Sequence, residues 1–177
     1  MIIDFKIKNE IDLEELWAKT DYLNALDQAN ENDRAYILVS AVAIEDQVFK
    51  ILKAISPSIN CLSDNKDFTF SIKINLLKSF EFCNPNIIEY ANLIRKIRND
   101  FAHNLLLNDF ESLSESNQNH INQIIGNINQ ECRTLSYKIK ITTIVKWLFW
   151  ELNSLIPYAK KLREIIESQS TKSLLNQ

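Results

Sequence analysis

Apolar positions along the chain recur at three- and four-residue steps, the period of helices that bury one face. Leu13, Leu16, Trp17, Leu23 and Leu26 give an apolar side to a first helix over 12–29. Asn32 or Asp33 caps a second, running to Ala54, and both residue types accept hydrogen bonds from the open N–H groups of a first turn. Its stretch Ala35–Ile44 is apolar almost all round, which marks it as the central helix of a bundle. Ser56-Pro57 ends it, and a polar loop follows to Asp67. Thr69 or Ser71 starts a third helix bearing Ile72, Leu76, Leu77 and Phe80. Asn84-Pro85, a cap followed by proline at the first helical position, opens a fourth that reaches at least Phe101. The Ser- and Asn-rich stretch 105–119 reads as loop, 119–132 as a modest helix, and 138–168 as a long helix kinked near Pro157. The β-branched run 139–145 could be a strand but has no partner strand. The pattern predicts a single all-α domain over 1–177, a bundle of about six helices.

One Gly and three Pro in 177 residues agree with helices and leave no material for a glycine-rich phosphate loop. The net charge of −3 confines any nucleic-acid contact to a local patch. Lys73, Lys78, Arg95, Lys96 and Arg98 would form one if the third and fourth helices are neighbours. Cys61, Cys83 and Cys132 are odd in number and lack CxxC spacing, the pattern of reduced cytoplasmic thiols rather than of disulfides or a metal site. The N-terminus does not read as a signal peptide, and no apolar run approaches the roughly 18 residues of a membrane span. No cofactor is expected.

The chemistry concentrates in Arg98-Asn99-Asp100-Phe101-Ala102-His103. A histidine to move protons, a guanidinium to stabilise an oxyanion and an amide to orient them are enough to cleave RNA without a metal. In a regular helix, however, five residues turn the side chain through about 500°, leaving Arg98 and His103 about 140° apart. Asn99 and His103, four apart, share a face. Arg98 meets His103 only if the helix ends near Phe101 or if the two come from different copies across a two-fold axis. A histidine at a helix C-terminus also serves as a capping cation, and His120, without such a context, reads as surface.

Glu45 falls on the stripe Leu38, Ala41, Val48, Leu52, and Arg98 on the edge of the stripe Ile87, Ala91, Ile94, Phe101. A carboxylate among apolar neighbours requires a partner. The expected pair is Glu45–Arg98, with Arg95 as the competing cation. Trp147, Trp150 and Tyr158 lie off the main stripe of the last helix (Ile141, Val145, Leu148, Leu152). They either roof the core or form a second contact surface for a dimer or another protein.

Three segments, RAYILVSAVAIEDQVFKIL, FSIKINLLKSF and IRKIRNDFAH, together resemble the bacterial mannitol operon repressor family over 34–104. That family is similar to the HEPN superfamily of helical RNA-linked domains. The resemblance implies an all-α, HEPN-like domain whose Arg98, Asn99 and His103 match an Arg–polar–three-residue–His pattern. Such domains commonly dimerise with their motifs facing one cleft, cleave RNA without metal to a cyclic phosphate, and serve as toxins or defence effectors. Some members are non-catalytic. The alternative implied is therefore a transcriptional regulator or a protein-interaction module, including an antitoxin that binds through the Trp147 and Trp150 face.

Overall fold

The computed structural model describes Leu26 and residues 28–175 apart from 129. The first expected helix, over 12–29, therefore lies mostly outside the described residues; Leu26, Gln28 and Ala29 are helical. The described chain is all-α and contains no strand. Its α-helices are α1 (Asp33–Ile55), α2 (Phe70–Ser79), α3 (Pro85–His103), α4 (Glu115–Ile128) and α5 (Tyr137–Leu175). Short 3₁₀ turns at Pro57–Leu62, Phe110–Ser112 and Gln130–Thr134 connect them.

The caps fall where the sequence puts them. Asn32 Oδ1 accepts the N–H of Ala35 at 3.0 Å, starting α1. Ser56, held extended (φ −137°, ψ 96°) ahead of Pro57, stops it. Asn84 Oδ1 accepts from Asn86 N at 3.0 Å, and Pro85 takes the first position of α3. Between α2 and α3 the chain turns through Glu81 with φ of 55°.

α1 is the central helix and packs against α2, α3 and α5. Ile37, Ile44, Val48, Ile51 and Leu52 are fully buried along it. α5 covers α1 with Ile141, Ile144, Leu148 and Leu152, and continues as helix through Pro157. The β-branched run 139–145 belongs to this helix, which packs against α1 and α4, and no strand occurs among the described residues to pair with it. Two expectations are corrected here. Ile72, placed on the apolar stripe of α2, is 46% exposed. The stretch 105–119 is not plain loop, since Leu107, Phe110 and Leu113 enter the core and α4 begins at Glu115. Of the two readings open for Trp147, its packing is that of a core roof: its ring lies on Tyr90 at 4.9 Å between centroids.

Both amide atoms of Gln47, on α1, are buried without a hydrogen-bond partner among the described residues. An unsatisfied buried polar group costs about 1–3 kcal/mol. Gln47→Leu is therefore expected to raise stability by about that amount, read as an upward shift of the urea midpoint at constant slope. On α5, burial pushes the Glu151 carboxyl above its ordinary range. The folded chain then holds this proton to higher pH than the unfolded chain, and stability falls as pH rises through that window. Glu151→Gln should melt higher than wild type near neutral pH, with the difference vanishing below the carboxylate range.

Candidate functional site

RNDFAH occupies the last turns of α3, which remains helical through His103 and is closed by Asn104, whose N–H donates to Asp100 O at 2.9 Å. The helix break that would swing His103 back toward Arg98 does not occur. Within one chain the two side chains keep their separation of about 140°.

The six residues divide into two sets. Asp100 and Phe101 hold the structure together. Asp100 Oδ2 accepts from Asn117 Nδ2 at 2.6 Å, tying α3 to the first turn of α4. Phe101 is fully buried, edge-on to Phe110 at 5.4 Å, and Phe110 is in turn edge-on to Tyr36 at 6.4 Å. Arg98, Ala102 and His103 are exposed, and Asn99 is half-buried. Arg98 Nη1 donates to Asn99 Oδ1 at 3.0 Å. With its oxygen committed in this way, Asn99 keeps its NH₂ group as a donor. No hydrogen bond to the His103 imidazole forms among the described residues.

The expected Glu45–Arg98 pair is not formed. Glu45 Oε1 instead accepts from Lys73 Nζ at 2.6 Å, and Lys73 lies 5.4 Å from the ring centroids of both Phe49 and Phe68. The physical reason is position. α2 brings a lysine onto the Glu45 side of α1, while Ile97 fills the α3 face beside Arg98 and the long Arg98 chain runs out to solvent. Arg95, the competing cation, donates instead to Asn92 Oδ1 at 3.4 Å. Because Lys73 is engaged in this ion pair, the expected basic patch loses its innermost member. Lys78, Lys96 and Arg98 remain exposed. His120, read as surface, meets Glu89 Oε1 at 2.9 Å and joins α4 to α3.

A residue outside the motif bonds its end. Arg34, in the first turn of α1, donates through Nη1 to Phe101 O and through Nη2 to Asn104 O at 2.9 Å and Leu107 O at 2.7 Å. Its guanidinium carbon also lies 5.9 Å from the Phe101 ring centroid. The adjacent Asp33 accepts Phe110 N at 3.0 Å on Oδ2 and pairs with Lys138 Nζ at 3.1 Å on Oδ1. Sequence periodicity does not reveal this contact, because it joins a polar helix start to main-chain carbonyls that any sequence would supply.

Among the described residues, no helix is long and apolar enough to cross a membrane, and no group of three or more His, Cys, Asp and Glu side chains is placed to hold a metal ion. Neither a family model, nor a curated protein, nor a solved structure matches the chain.

These contacts reverse the stability pattern expected if Arg98 were a buried clamp. Arg98→Ala should shift stability by no more than about 0.5 kcal/mol, as at an exposed surface position. Arg34→Ala should cost about 1.5–3 kcal/mol, the scale of charge-assisted hydrogen bonds lost at a helix end. Parallel urea melts of the two variants check both values.

Proposed function

We propose that the chain is a dimeric, metal-independent endoribonuclease of the HEPN type that acts in toxin, defence or regulatory RNA cleavage. One observation supports this reading above the rest. Arg98, Asn99 and His103 are kept out of the core, while their immediate neighbours Asp100 and Phe101 do the packing. Arg98 is bonded only within the motif, to Asn99, and the His103 imidazole bonds no described residue.

In this mechanism an imidazole of His103 takes the proton of a ribose 2′-OH, and the 2′-oxygen attacks the adjacent phosphorus. The bond from phosphorus to the 5′-oxygen breaks, the leaving oxygen is protonated by the imidazolium form of the second copy's histidine, and a 2′,3′-cyclic phosphate remains. Arg98 stabilises the charge that develops on the phosphorane-like transition state. The Asn99 amide, anchored through its oxygen to Arg98, donates to a non-bridging phosphate oxygen. The angle of about 140° between Arg98 and His103 requires the second copy, so that each cleft combines the two motifs.

A second reading, a non-catalytic regulator or protein-interaction module, is favoured by Leu105 and Leu106, which are 81% and 89% exposed just beyond Asn104, the residue that follows the motif.

Cleavage of a single-stranded RNA separates the readings. Wild type should cut RNA and leave DNA of the same sequence intact, since the nucleophile is the 2′-OH. His103→Ala should lower the rate by about 10²–10⁴-fold. An inactive wild type, or equal rates for the two proteins, removes the enzyme reading in favour of the interaction module.

A further inference from the structure

We propose that Arg34 is a positioning residue for the Arg98–Asn99–His103 constellation: by finishing the last turn of α3 it fixes where His103 stands. This rests on the ribonuclease reading.

The last carbonyls of a helix have no partners within it and tend to fray. Here one guanidinium accounts for three carbonyls, one in the final turn of α3 (Phe101) and two in the chain that leaves it (Asn104 and Leu107). The turn is completed by Asn104 N–H to Asp100 O at 2.9 Å and Leu107 N–H to Asn104 O at 3.2 Å. His103 is the last residue of that helix. Its side chain is exposed and bonds no described residue, so only the backbone beneath it determines its place.

Asn99 and His103 stand on one face only while the turn between them stays helical. If the turn unwinds, His103 no longer keeps a fixed distance from Asn99 or from the Arg98 bonded to it. A cation at this end also suits the negative pole of the helix dipole. Lysine would supply that charge but not the planar fork that reaches several carbonyls at once. The fork is itself held in place, because Arg34 follows Asp33, which is fixed to Phe110 N and Lys138.

The test uses the full chain as wild type, Arg34→Lys and Arg34→Ala. Ile124→Val, a core substitution in α4, serves as a destabilised control. Steady-state cleavage of a single-stranded RNA is measured together with amide exchange at Asn104 and Leu107. Arg34→Lys should lower kcat about tenfold and Arg34→Ala about 10²-fold with KM nearly unchanged, the scale of a catalytic group misplaced by an ångström. Both should lose protection at Asn104 and Leu107, and the control should change neither reading. Arg34→Lys with wild-type kcat and wild-type protection overturns the positioning role alone. So does a control that loses as much kcat as Arg34→Lys. A wild type that leaves RNA uncut overturns the ribonuclease reading, and the positioning role falls with it.

Discussion

The contact on which the motif end of this bundle depends is between the Arg34 guanidinium and the main-chain carbonyls of Phe101, Asn104 and Leu107. A helix that ends near the surface faces a choice between water and a protein donor for its open carbonyls. Here the donor is a charged, planar group from the start of the central helix. The same two-residue step, Asp33-Arg34, also takes the Phe110 amide and the Lys138 ammonium. Four parts of the chain, namely the start of α1, the end of α3, the turn at Phe110 and the start of α5, are thereby brought to one corner. The aromatic group Tyr36, Phe110 and Phe101 fills the space beneath them.

This corner changes the meaning of RNDFAH. The string contains both the means of its own anchoring and the groups left over for chemistry. Asp100 and Phe101 point to α4 and the core. Arg98, Asn99 and His103 point away from it, with Arg98 and Asn99 bonded to one another. The alternation follows from helix geometry. Steps of 100° per residue carry any six consecutive positions round both faces of the helix. The rigid face therefore holds the reactive one without the two sharing a side chain.

Much of the fold was legible because its signals are local. Asn32, Asn84-Pro85 and Ser56-Pro57 act through their own turns, and the nearly all-apolar Ala35–Ile44 marks the central helix by composition alone. What depended on tertiary arrangement was not. Periodicity told which side of α1 carries Glu45, but not that α2 would deliver Lys73 to it before α3 could deliver Arg98. Trp147 stayed open between a core roof and a second surface because Tyr90, its partner, lies on another helix. Leu107, Phe110 and Leu113 were hidden among Asn and Ser, and of the three only Phe110 lies in a 3₁₀ turn. In the candidate site, the helical angle separated Arg98 from His103, but the stripe turned Arg98 toward Glu45, whereas its side chain is exposed. The role of Arg34 was not legible, since its acceptors are backbone atoms.

The Arg34 contacts join residues 67 to 73 positions apart in the chain. During synthesis the helix bearing the motif is complete once His103 has emerged, yet its end acquires its full set of donors only after Leu107 follows and folds back onto α1. The tie from Asp33 to Lys138 comes later still. The motif thus matures in step with the bundle as a whole, and a chain cut short before α5 carries every residue of RNDFAH without the finished corner that holds it.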